Sequence, residues 1–228
     1  MKRKDFLKLS SASALLFGLK SHAVNLYESY DYKKNDSQYM GDYSAPKLDV
    51  VRVAFIGVGA RGSGHAKQIA AIEGTEVVGI SDLYKDLAEK SSYLCQEIGN
   101  GKRHKNIAIY SGNKNKWMAM LREVKPDAVF ISTNWDNHAS MAIETMKSGS
   151  HAFVEVPMAT TIEDLWDIVN TSEKTRKHCM MMENVNYGRD ELMYLNMCRK
   201  GVIGDFLHAE AAYIHELRFQ MKEEERGT

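Results

Sequence analysis

The chain has 228 residues, and its 30 basic side chains balance 30 acidic ones, so the formal net charge is zero. That balance excludes the basic excess a nucleic-acid partner requires, and 44% hydrophobic with 26% charged residues excludes a disordered, collagen-like or disulfide-scaffold chain. Three Cys with no C-x-x-C pair exclude a zinc ribbon or thioredoxin motif, and no His and acids show metal-ligand spacing, so no metal is expected.

Residues 1–4 include Lys2, Arg3 and Lys4, an apolar stretch covers 7–19, and Ser21-His22-Ala23 offers a small-x-small cleavage pattern. This order predicts a signal peptide over 1–23. The alternative is an amphipathic N-terminal helix. The apolar run is too short to span a bilayer, so no stable membrane insertion is expected. Arg3-Lys4-Asp5-Phe6-Leu7-Lys8 is similar to a twin-arginine export signal, with Lys4 in place of the second Arg. It implies export, to the periplasm. Residues 24–47 are polar and Tyr-rich, hold no helix or strand period, and read as an arm or linker ending near Pro46.

Residues 50–56 (VVRVAFI) form a β-branched apolar run suited to a strand buried on both faces of a parallel sheet. It leads into Gly57-Val58-Gly59-Ala60-Arg61-Gly62 and a predicted helix over 63–72, then a second strand over 76–80 closed by Ser81-Asp82. Gly57 permits the tight turn, Gly59 lets backbone approach a pyrophosphate, and Gly62 lets helix pack close on strand. Asp82, 20 residues after Gly62, can accept hydrogen bonds from ribose hydroxyls and repels a 2′-phosphate, which favours NAD over NADP. A glycine turn without ligand is the plainer alternative. Arg61 either contacts phosphates or is solvated.

The alternation continues: helix 83–98, strand 106–110, helix 114–124, strand 127–132, helix 137–147, strand 151–155, helix 162–174 opened by Thr160/Thr161, and strand 178–183. Such regularity predicts an α/β fold, a Rossmann-type doubly wound parallel sheet over 48–185, with ligands beyond the carboxyl ends of the strands. The residues after the later strands are Thr133-Asn134-Trp135-Asp136-Asn137-His138, then Glu155-Val156-Pro157, then Asn184-Val185-Asn186-Tyr187-Gly188-Arg189. A helix over 189–199 and a strand over 206–217 carrying Tyr213 and His215 follow.

This set resembles the Gfo/Idh/MocA family of NAD(P)-dependent sugar-handling proteins over about residues 50–228. Dehydrogenases of that family place a catalytic Lys in a Glu-Lys-Pro tripeptide, where Val156 stands here. Glu155-Val156-Pro157, with Trp135-x-x-His138, Met182-Glu183-Asn184-Val185-x-Tyr187-Gly188-Arg189 and Ala212-Tyr213-x-His215-x-Leu217-Arg218, resembles one branch, glycoside hydrolase family 109. The resemblance implies NAD contacts from Ala60, Arg61, Asp82, Trp135 to His138, Glu155, Val156 and Asn184, and a sugar contact from Tyr213. His215 shares the face of Tyr213 and is a second substrate-side candidate. Their alternative is the half-exposed face of an antiparallel sheet. Trp135 either stacks near the nicotinamide or fills core.

The implied activity is an NAD-dependent α-N-acetylgalactosaminidase acting on carbohydrate with terminal N-acetylgalactosamine. Hydride leaves C3 of the sugar, the C2 proton and then the aglycone are lost, water adds, and the hydride returns. No paired carboxylates are needed. The rival readings are a sugar oxidoreductase with net redox turnover and a non-catalytic NAD-binding fragment. The resemblance further implies that residues 186–228 begin an α+β substrate domain that often supplies a homo-oligomer interface, and that the catalytic Tyr-x-x-His segment lies beyond Thr228. The expectation is therefore an N-terminal portion of a longer protein. His65 reads as structural, His104, His151, His178 and His208 as surface or strand-end positions, Met180 to Met182 as packing in a buried strand, and Cys95, Cys179 and Cys198 as buried thiols.

Overall fold

A computed structural model of the chain describes residues 39–99, 103–184, 186–212, 214 and 216. One compact unit spans Gln38–Thr228; the unit before it, Met1–Ser37, and with it the predicted signal peptide, lies outside the described residues. The described strands are β1 (Val51–Ile56), β2 (Thr75–Asp82), β3 (Ala108–Ser111), β4 (Ala128–Ile131), β5 (His151–Glu155) and β6 (Cys179–Met182). They pair in parallel in the order β3-β2-β1-β4-β5-β6. This is the doubly wound order, with its switch point between β1 and β4. The helices are α1 (Ala60–Ala71), α2 (Lys85–Ile98), α3 (Lys116–Val124), α4 (Trp135–Lys147), α5 (Ile162–Thr175) and α6 (Arg189–Arg199).

Strand alternation sends successive residues to opposite faces, which separates the core into two layers. Val53 and Phe55 of β1 meet Ala66, Ala70, Ala88 and Cys95 of α1 and α2. Ala54 and Ile56 meet Met120, Ala142 and Met146 of α3 and α4 on the other side. On the α1 side, Phe55, Phe130 and Phe153 stand in register on β1, β4 and β5, with ring centroids 5.4 and 4.7 Å apart. Fully buried Phe55 contributes about 1.5–3 kcal/mol of transfer free energy, and the partly buried Phe130 and Phe153 less.

The β1–β2 pairing slips once. Val53 faces Val77, but Ala54 faces Gly79, so Val78 is an extra residue in β2. Gly79 then sits under Met120, whose Sδ would lie 3.0 Å from a β-carbon at that position.

Predicted boundaries shift by a few residues. α1 begins at Ala60 and α4 at Trp135, both earlier than periodicity suggested, because apolar spacing does not mark a first turn that faces a cleft. α5 is capped as expected at Thr161, whose Oγ1 accepts from Asp164 N at 3.1 Å. Three expectations fail. Met180 and Met181 are over 40% exposed, because β6 is an edge strand with less helix cover than the interior strands. The described residues of 206–217 form no strand, since a strand exists only through its ladder partners and no described strand lies beside them. His104 is fully buried: its Nδ1 accepts from Val77 N at 2.9 Å, and its Nε2 lies 3.0 Å from Ala70 O.

Candidate functional site

A cleft of about 710 Å3 opens at the carboxyl ends of β1, β2 and β4, on the switch point of the sheet. Its lining comprises Gly57 and Gly59 from the first turn, Asp82 to Tyr84 after β2, Asn113 to Asn115 after β3, and Thr133, Asn134 and Asn137 after β4.

The glycine turn is built as its spacing implied. Gly57 has φ +83°, which disfavours any side chain, and a β-carbon there would collide with Ser132 O. A β-carbon on Gly62 would collide with Gly57 O, so α1 reaches its close seat on β1 only with glycine there. Gly59 is the N-cap of α1, with no side-chain cap bond and no acid in the first turn. Free N–H groups, the positive end of the helix and Arg61 in that turn together suit an anion. Asp82 sits beside them: Oδ2 accepts from Val58 N at 2.8 Å and Oδ1 from Tyr84 N at 2.9 Å. Two bonds leave lone pairs on both oxygens for a ribose diol. These residues fit a dinucleotide: a pyrophosphate over the helix end and a ribose at Asp82.

A second group lies at the ends of β5 and β6. Phe153 points toward α1, so Glu155, two residues on, does the same. Its Oε1 lies 2.6 Å from His65 Nε2 and 3.5 Å from Arg61 Nε, while Oε2 accepts from Val156 N at 3.2 Å. Arg61 Nη2 donates to Asn184 Oδ1 at 2.8 Å. Arg61, Glu155 and Asn184 are thus brought together, while Val156 stands beside them with an exposed side chain.

Trp135 and His138 part company. Trp135 opens α4 and is mostly exposed, outside the core and outside the cleft lining. His138 is fully buried; Nδ1 lies 2.7 Å from Pro157 O and Nε2 3.0 Å from Thr133 O. Carbonyls only accept, so a ring nitrogen that carries hydrogen donates to the carbonyl it faces, and the ring sits between the β4–α4 turn and the segment after β5. Its ring nitrogens thus face carbonyls inside the protein, and His138 is not part of the cleft lining. Tyr213 and His215 lie outside the described residues.

Leu83, Tyr84, Asn113 to Asn115 and Trp117 line the cleft without having been singled out from the sequence. Their position after β2 and β3 is the available signal, the same one that marks residues after β4 to β6. His65 is likewise part of the site, because it stands one helical turn after Arg61. The thiols take no part: burial pushes Cys95 up to about 11 and Cys179 up to about 12, and Cys179 and Cys198 are only half-buried by residue.

Residues 51–183 match the family model of an oxidoreductase family with an NAD-binding Rossmann fold, Gfo/Idh/MocA, and residues 187–227 match the glycosyl hydrolase 109 C-terminal domain. Glycosyl hydrolase family 109 protein 1 of Akkermansia muciniphila is 58% identical over 86% of this chain and 40% of its own length. An alpha-N-acetylgalactosaminidase of Shewanella oneidensis is 48% identical over 97% of this chain and 48% of its own length. The chain thus spans less than half of these relatives. In fold, it is similar to scyllo-inositol dehydrogenase of Lactobacillus casei with NAD(H), at a TM-score of 0.59 and 18% identity, covering 68% of this chain and 43% of that one. The chain therefore belongs to the Gfo/Idh/MocA oxidoreductase family of NAD-binding Rossmann-fold proteins.

Proposed function

We propose that this chain is the NAD-holding part of a glycosidase of the α-N-acetylgalactosaminidase type, in which the cofactor is reduced and reoxidised within each turnover. The observation that carries the reading is the likeness to the Shewanella oneidensis alpha-N-acetylgalactosaminidase across nearly the whole chain. Val156 agrees with it: an apolar side chain at the end of β5 cannot move a proton, so Lys-assisted alcohol oxidation with net turnover has no proton carrier at that position.

When bound, NAD supplies a hydride acceptor and donor. The chain's own residues supply its seat: the α1 end for the pyrophosphate, Asp82 for a ribose, and Glu155 with Asn184 on the side toward β5 and β6. On this reading the bound cofactor would supply reversible oxidation at C3 of the sugar, which would acidify C2–H for elimination of the aglycone, with water addition and return of the hydride completing the hydrolysis. The basic, apolar and cleavage-type segments of residues 1–23 support export to the periplasm with the cofactor aboard.

The test is turnover of an aryl α-N-acetylgalactosaminide by the protein with its bound cofactor and no added NAD. Aglycone release without NADH accumulation, with solvent deuterium entering C2, is the expected result. NADH rising in proportion to product would identify a net oxidoreductase. NAD binding without turnover of α- or β-glycosides would identify a binding module.

A further inference from the structure

The geometry points to His65 as a positioning residue: it is the standing partner of Glu155, and by holding that carboxylate it frees Arg61 to turn toward the cofactor pyrophosphate. The inference rests on the glycine turn being the NAD seat.

Glu155 is only 9% exposed, and a carboxylate so sheltered must keep hydrogen-bonding or charged partners. It has three, and they are unequal. His65 Nε2 is at 2.6 Å with a side chain 23% exposed. The carboxylate oxygen only accepts, so Nε2 carries the shared hydrogen. The Val156 amide is fixed backbone. Arg61 Nε stands off at 3.5 Å, on a side chain 58% exposed.

Arg61 and His65 are four apart on α1 and so share one face. The inner position on that face belongs to His65 and the outer to Arg61. Arg61 stands in the first turn of α1, beside the unfilled N–H groups, and its guanidinium carries more donors than Glu155 and Asn184 accept. It can leave Glu155 only if that carboxylate keeps another close hydrogen-bond donor. His65 meets this condition. Without it, Glu155 would recruit Arg61 inward and take the cation from the pyrophosphate.

The experiment measures binding of NAD, ADP-ribose and adenosine to the chain by calorimetry, with thermal melts of each variant. His65→Ala is expected to weaken NAD and ADP-ribose about tenfold, the loss of one charge-assisted contact, and to leave adenosine unchanged. His65→Gln, which keeps a donor within reach of Glu155, should restore binding to within about threefold of wild type. In an Arg61→Ala background, His65→Ala should add nothing further. Unchanged ADP-ribose affinity in His65→Ala overturns the role, as does an equal loss for adenosine, or Arg61 and His65 effects that multiply. Failure of the wild-type chain to bind NAD would instead overturn the cofactor reading on which the role depends.

Discussion

Gly62 has no room for a β-carbon: one built there meets the carbonyl oxygen of Gly57 across the turn. Gly62→Ala must push α1 off β1, at a cost of about 1–3 kcal/mol, which for a domain of this size lowers Tm by roughly 2–12 °C. A thermal melt checks this, and NAD affinity should fall with it, because the amides move too. Asp82 is a different kind of residue, with a charge that serves two ends. Asp82→Asn keeps the shape but puts an amide NH2 where two backbone N–H groups and a ribose diol need acceptors. NAD binding should weaken about 10- to 100-fold, the value of a charge-assisted bond. The NADP-to-NAD preference should rise, because the carboxylate no longer repels a 2′-phosphate. Titrating the variant with both cofactors measures each effect.

At the scale of elements, His138 joins two loops that otherwise hold separate parts of the site: Thr133 after β4 and Pro157 after β5. His138→Ala leaves a buried carbonyl short of a donor and a void within the fold. The expected cost is about 3–5 kcal/mol, read as a fall in the urea midpoint. A weaker Kd for NAD should accompany it, since Asn134 and Asn137 line the cleft from the same turn. This role is also where sequence reading reaches its boundary. The strands, helices and glycine turn are legible because each obeys a local period or a steric rule: Phe55, Phe130 and Phe153 sit in apolar runs, and Asp82 stands at a fixed distance from Gly62. What His138 touches is set by Pro157, 19 positions away, and nothing local announces it. His65 is hidden for the same reason, its partner Glu155 lying 90 positions on. His104 is misplaced because a histidine among polar neighbours looks exposed until the strand it caps is known.

For the molecule as a whole, acid stability is governed in part by the opposite end of the sheet. His151 opens β5, and its Nδ1 accepts from His178 N at 2.9 Å, a bond only the unprotonated nitrogen makes. Burial first, then the nearby Lys177 and His178, lowers its pKa below the ordinary 6.5, although Asp127 opposes this. The folded state thus prefers the neutral ring while the unfolded chain takes up a proton near pH 6.5. This contribution is present in full above that value and is lost as pH falls from there through the lowered folded-state value. Tm of the wild type should decline between pH 7 and 5, and His151→Gln should flatten that decline in a melt series.

The extra residue in β2 has one more effect, which concerns phase. Val77 and Ile80 both belong to the α1 layer, although three positions apart in a regular strand should put them on opposite sides. The slip at Val78 makes up the difference, and Asp82 inherits the corrected phase, so its carboxylate arrives beneath the Val58 amide rather than across the sheet. The bulge therefore absorbs one residue midway along the strand without changing the side on which the cofactor's ribose is met. Deleting Val78 would close the bulge while leaving Val77 and Ile80 two apart on one face and Asp82 in the same phase; a folded deletion variant, verified by circular dichroism, should keep its NAD affinity by calorimetry.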